Sequence, residues 1–239
     1  MIYLVSLIDM LIFIHGMYSN ANIWDPIINY FNEKNFSCKA VNLKEGLNLR
    51  KVHFQDYVEK VKALTTEDDI IIGHSMGGLI VQKLAEEISI KGGIAICSAA
   101  PKGVKFRGDI VRSSARYAPK VIMRRPFKVD YSYVKKYMLV GVEEEKAKSI
   151  YGELGEQSAI VTYELGMNRI TVDEKKVGCP LFFIATKQDG VCTPEMVKRL
   201  AEKYNTEYRL YDGCHHFFCN SNWGDIADGI HSFIKKLKY

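Results

Sequence analysis

Four short runs, Leu11-Ile12-Phe13-Ile14, Ile70-Ile71-Ile72, Ile94-Ala95-Ile96-Cys97 and Leu181-Phe182-Phe183-Ile184-Ala185, carry no charged or hydrogen-bonding polar side chain. A strand with one wet face alternates apolar and polar residues. A run that is apolar throughout is buried on both faces, as in a parallel sheet covered by helices on each side. Residues 39–43 form a weaker fifth run, and residues 208–211 read as the last strand. Helical periods lie between them, at Trp24, Ile27, Ile28 and Phe31 and at Tyr57, Val58, Val61 and Leu64. Further periods run through Leu79, Ile80 and Leu84, through Met196, Val197 and Leu200, and from Trp223 to Leu237. The alternation predicts an α/β protein with a mostly parallel sheet flanked by helices.

The alternation stops between residues 102 and 176, where the chain turns aromatic and charged. Residues 101–136 hold eleven basic and two acidic side chains, whereas residues 137–176 hold eight acidic and five basic ones. A structureless loop of that length is implausible in a compact domain. The expectation is a helical cap (lid) over residues 102–176, inserted between a core's first part, 1–101, and its second part, 177–239. With 239 residues, 47% hydrophobic and 26% charged, the chain has ample material for one large core, which excludes intrinsic disorder. Its net charge of +5 permits nucleic-acid binding without arguing for it, and none is expected. Six cysteines form no CxxC pair and no zinc-finger spacing, so no metal and no cofactor are expected. The apolar opening is interrupted by Asp9 and reads as strands, one of them over residues 2–7. No stable membrane insertion is expected, and the default compartment is cytoplasmic.

The most specific chemical signal is Gly73-His74-Ser75-Met76-Gly77-Gly78. It fits G-x-S-x-G, follows an apolar strand directly and precedes a helical period, which is the setting a nucleophile elbow requires. Gly73 and Gly77 remove the Cβ atoms that would crowd the turn. A bland alternative is a glycine-rich corner whose serine caps the helix.

A serine hydroxyl needs an adjacent base, and the base needs an acid to hold its tautomer. Asp189, just beyond the run at 181–185, is the best downstream acid, although an aspartate in a turn also serves local capping. The base is His215 or His216, in Asp212-Gly213-Cys214-His215-His216-Phe217. Adjacent histidines cannot both reach Ser75. His216, directly before Phe217, is preferred, with His215 as a supporting wall or hydrogen-bonding residue. The oxyanion hole is assigned to the backbone N–H groups of Met76, at the helix start, and Met17, in the turn His15-Gly16-Met17. Gly16 lets the chain approach the substrate closely, and His15 is read as structural. The Met17 and Met76 side chains are either soft walls of the site or ordinary core contacts.

Together, Phe13-Ile14-His15-Gly16 with Trp24, the Ser75 turn, Asp189 with Val191 and Pro194, and residues 213–217 resemble the α/β-hydrolase fold. The likeness is to its serine esterases and lysophospholipase-like acyl hydrolases, and it spans residues 11–237 outside the middle region. What the resemblance implies is a parallel sheet, a helical cap and a catalytic triad of Ser75, Asp189 and His216. The family's Gly-x-Gly-His-Phe run falls on residues 213–217, with His215 in place of its second glycine.

The expected activity is a carboxylesterase-like serine hydrolase working through an acyl-enzyme on apolar acyl or aromatic esters, lipid-like ones included. A thioesterase, amidase or carbon–carbon bond hydrolase with the same triad is the alternative within the fold. A noncatalytic small-ligand binder is the alternative outside it. Arg107, Arg112, Arg116, Arg124 and Arg125 either contact an anionic substrate group or form a solvated surface.

Overall fold

The computed structural model describes residues 10–237; the strand expected over residues 2–7 lies outside them. In chain order come β1 (Met10–Ile14), α1 (Asp25–Asn32), β2 (Ser37–Val41), α2 (Phe54–Lys62), β3 (Ile70–His74), α3 (Met76–Glu87) and β4 (Gly92–Ile96). A run of short helices follows: α4 (Gly108–Ser114), α5 (Ala118–Ile122), α6 (Tyr131–Tyr133), α7 (Glu144–Glu153) and α8 (Ala159–Gly166). The chain then returns to the sheet with β5 (Leu181–Thr186), α9 (Pro194–Lys203), β6 (Glu207–Tyr211) and α10 (Trp223–Lys236).

All six strands pair in parallel, in the order β2-β1-β3-β4-β5-β6. Successive side chains on each strand supply opposite cores. Ile12, Ile14, Ile71, Ala95, Phe183 and Ala185 pack with the apolar faces of α2, α3 and α9. Leu11, Phe13, Ile70, Ile72, Ile94, Ile96, Phe182 and Ile184 pack with α1 and α10. This two-sided burial is what the unbroken apolar runs require. Each covering helix buries one stripe, as α2 does with Phe54, Tyr57, Val58 and Val61. At the sheet edges, β2 and β6 are only partly buried, which explains their weaker sequence signal. β2 also begins two residues before the run expected at 39–43.

The strand order reverses at β1: the chain leaves it for β2 on one side and returns to place β3 on the other. The carboxyl ends of β1 and β3 therefore flank a crevice, where open α/β sheets bind ligands. Between β4 and β5, Tyr117, Phe127, Tyr133, Tyr137 and Leu139 form a third apolar cluster. Tyr117 stacks on Phe127 at 5.2 Å between centroids. This segment also meets the loops at the sheet's carboxyl rim. The Tyr137 carbonyl accepts a hydrogen bond from Gly190 N at 3.0 Å, and the Met138 carbonyl accepts one from His216 N at 3.3 Å.

Candidate active site

Ser75 stands alone between β3 and α3, with φ +56° and ψ −116°. That left-handed backbone is strained for a residue with a Cβ, and such strain gathers where a turn must aim a side chain. Flanking packing enforces it. A Cβ on Gly73 would run into the Gly77 carbonyl, and one on Gly77 into the Ile14 carbonyl. The Ser75 amide donates to the Ile96 carbonyl at 2.9 Å, and its own carbonyl accepts from Ala99 N at 2.9 Å. The side chain is left facing the rim, half-buried.

The imidazole beside Ser75 is His215, not His216. His215 Nε2 lies 3.1 Å from Ser75 Oγ, and His215 Nδ1 lies 2.7 Å from Asp189 Oδ2. Asp189 is buried at the exit of β5 and is itself held: its Oδ1 accepts from Val191 N and Cys192 N, both at 2.8 Å. With one carboxylate oxygen fixed by two amides, the other is aimed at the ring. His216 goes elsewhere. It leads into the tight turn Phe217–Cys219, and its ring packs edge-on to His74 at 6.2 Å and Phe218 at 5.9 Å. Both rings pack near His74, but the hydrogen bonds to Ser75 and Asp189 are made by His215, one residue earlier than the position directly before Phe217 suggested. Burial above all, then the nearby His215, lowers the His216 pKa to about 4.

Several neighbours fix the histidine loop. Thr186 Oγ1 donates to the Cys214 carbonyl at 3.0 Å, and the Gln188 amide donates to the Gly213 carbonyl at 2.8 Å. His74, directly before Ser75, donates from Nε2 to the His215 carbonyl at 2.9 Å. Its Nδ1 is buried without a hydrogen-bond partner among the described residues. Burial above all, then the neighbouring histidines, hold its pKa well below the ordinary value. In the sequence His74 is visible only as a residue of the motif; its burial and its bond to His215 belong to the fold.

The turn after β1 lies against the elbow. A Cβ on Gly16 would come within 2.9 Å of Ser75 Cβ, so only glycine lets the two loops meet. Met17 follows in that turn, and Met76 is the first residue of α3. Among the described residues, neither amide has an acceptor within the protein. α3, twelve residues long, directs the positive end of its dipole at the same point. The Met17 side chain lines the cavity above Ser75. Met76 is fully buried and accepts a contact from Gln157 Nε2 at 3.4 Å, so its side chain is core. His15 ties the turn to the loop after β2: Nδ1 donates to the Gly16 carbonyl at 2.8 Å, and Nε2 accepts from Leu43 N at 3.1 Å. Burial lowers its pKa to about 4.

A cavity of about 400 Å³ opens over Ser75 and His215. Its wall is largely apolar, with Ile110, Val129, Tyr133, Met138 and Leu165 among its residues, and no acidic or basic side chain other than histidine lines it. The five arginines considered from sequence all lie exposed and outside the lining; Arg107 pairs with Asp109 at 2.8 Å and Arg116 with Asp130 at 3.4 Å. The six cysteines are free thiols. Cys192 lies buried beside Asp189, and Cys214 Sγ sits 3.4 Å from Cys219 Sγ.

The family model described as serine aminopeptidase, S33, matches residues 8–221. No curated protein matches. Among solved structures, a carboxylesterase study of the thaumarchaeon Nitrososphaera gargenis superposes with a TM-score of 0.72 at 20% identity, covering 96% of this chain and 92% of that one. A lipase-esterase related protein from Clostridium acetobutylicum gives 0.67 at 19% identity, covering 94% of each chain. Tomato methylketone synthase I complexed with 2-tridecanone gives 0.71 at 15% identity, covering 96% of this chain and 98% of that one. At these identities the structural likeness speaks for the fold, while the family match runs from the first strand past the histidine loop. The chain therefore belongs to the serine aminopeptidase S33 family, hydrolases built on the α/β-hydrolase fold.

Proposed function

We propose that the protein is a serine carboxylesterase acting on apolar acyl esters, with Ser75 as nucleophile, His215 as base and Asp189 as the orienting acid. The observation that carries this reading is the continuous hydrogen-bonded line Asp189–His215–Ser75, at 2.7 and 3.1 Å, beneath an apolar cavity.

Ser75 Oγ attacks the ester carbonyl carbon while His215 Nε2 takes its proton. Asp189 keeps Nδ1 protonated and stabilises the imidazolium. The carbonyl oxygen gains negative charge and is held by the N–H groups of Met17 and Met76. His215 returns the proton to the alkoxide, the alcohol leaves, and an acyl group stays on Ser75. Water, deprotonated by His215, then releases the carboxylic acid and restores the serine.

Residues 102–176 act as a cap whose helices supply most of the wall around the acyl group. An ester is favoured over a peptide's free N-terminus for a physical reason. A charged α-amino group needs a carboxylate partner when it is desolvated, and the cavity wall contains no Asp or Glu. The tomato neighbour was solved with 2-tridecanone, a long apolar chain, which suits the same kind of wall.

The test is a panel of p-nitrophenyl esters, acyl-thioesters and aminoacyl amides, run on the native chain and on Ser75→Ala. The expected result is turnover of esters with acyl chains longer than acetyl, falling at least ~10³-fold in the variant. Hydrolysis retained by folded Ser75→Ala contradicts the serine mechanism, and preference for the amides contradicts the esterase assignment.

A further inference from the structure

The mouth of the cavity is apolar on the outside as well as within. Val111 and Ile122 line the cavity and are also 46% and 81% exposed, and Met123, next along the chain, is 66% exposed. Met167, on the same lining, is 55% exposed. A soluble surface rarely leaves large side chains this open in one place without a use for them. Exposed basic residues adjoin these side chains along the chain: Arg112 follows Val111, Lys120 lies two residues before Ile122, and Arg124 and Arg125 follow Met123. Among the described residues, none of these four cations pairs with an acidic side chain. Arg107 and Arg116 on the same stretch are instead paired with Asp109 and Asp130.

We infer that this apolar and basic rim around α4 and α5 is a docking surface for an anionic lipid–water interface, set so that an acyl chain passes from the lipid into the cavity. Apolar side chains ringed by Lys and Arg are the composition that binds the boundary between anionic headgroups and acyl chains. Charge complementarity selects that occupant over a neutral surface. The inference rests on the esterase reading for what happens to the lipid afterwards; the docking itself does not require catalysis. No helix among the described residues is long and apolar enough to cross a membrane, and the contact is peripheral.

The experiment is flotation of the whole protein with vesicles of phosphatidylcholine alone and with phosphatidylglycerol added. It is repeated at low and high salt, and with the triple variant Met123→Ser, Arg124→Ser, Arg125→Ser. Binding is expected only to the anionic vesicles and should weaken with salt. It should fall at least tenfold in the variant, since each cation near such a surface is worth about fivefold. Turnover of a soluble short-chain ester should stay within about twofold, because none of the three residues lines the cavity. Native protein that stays unbound, or binds both vesicles alike, overturns the inference. So does a dimer in vesicle-free buffer that the triple variant abolishes, which would assign the patch to a second copy. If the native protein binds anionic vesicles but hydrolyses no ester, the surface stands and the esterase reading fails.

Discussion

His74 donates its Nε2 hydrogen to the carbonyl of His215 at 2.9 Å, so the residue before Ser75 holds the backbone of the residue whose imidazole faces Ser75. The two rings lie 4.9 Å apart. A single strand-to-helix turn thus presents the hydroxyl and fixes its partner.

Removing that bond should loosen His215 without touching the reacting atoms. His74→Phe is expected to lower kcat by about tenfold, the worth of one buried hydrogen bond, with KM little changed. His74→Gln, which keeps a donor, should recover part of the loss. Equal activity in the native, Phe and Gln proteins would show that the bond does not position the base.

Backbone strain at Ser75 makes a second prediction. At φ +56° and ψ −116°, glycine is at ease and other residues are not. Ser75→Gly should therefore be inactive yet more stable than Ser75→Ala, by about 1–2 kcal/mol in urea unfolding. A glycine variant less stable than the alanine variant contradicts the strained elbow.

The buried histidines make stability depend on pH. His15 and His216 each titrate at about 4 in the folded protein, burial being the main cause, against an ordinary value of 6.5. Because the folded values are lowered, the unfolded chain binds more protons between these limits. The contribution is full above the ordinary value and is lost as pH falls toward the folded one. At about 1.4 kcal/mol per pKa unit, each histidine removes up to about 3 kcal/mol over that range. Urea midpoints should fall between pH 7 and pH 5, and His216→Asn should flatten the dependence. A midpoint unchanged over that interval contradicts it.

Acyl-chain selectivity should follow the cavity wall. Ile110 is buried and lines the cavity. Ile110→Trp should reduce kcat/KM for long-chain esters about tenfold or more while leaving acetyl and butyryl esters within about threefold. A uniform loss across all chain lengths would mean that the acyl group lies elsewhere.

The central sheet was legible because β1, β3, β4 and β5 are buried on both faces, and their side chains are apolar until His74 and Thr186 at the carboxyl ends of β3 and β5. Ser75 and Asp189 were legible because the first directly follows such a strand and the second lies three residues beyond the end of another. Which histidine lies beside Ser75 was not, since His215 and His216 share one loop and one chemistry. Only the direction of each side chain separates them, and that is set by distant partners: Thr186, His74 and the Met138 carbonyl. The middle segment was legible as helical but not as a wall, because its short helices owe their placement to the aromatic cluster around Tyr117, Phe127 and Tyr133 rather than to strong periods of their own. His53 likewise gave no signal of its role: Nδ1 contacts Glu164 at 2.6 Å, joining the start of α2 to α8.

The most direct test is ester turnover by His215→Ala beside His216→Ala, each checked for folding. Loss of ~10³-fold or more in the first, with the second retaining at least about a tenth of native activity, is the expected result. If the first stays active and the second is dead, the imidazole that serves Ser75 is not the one 3.1 Å from its hydroxyl.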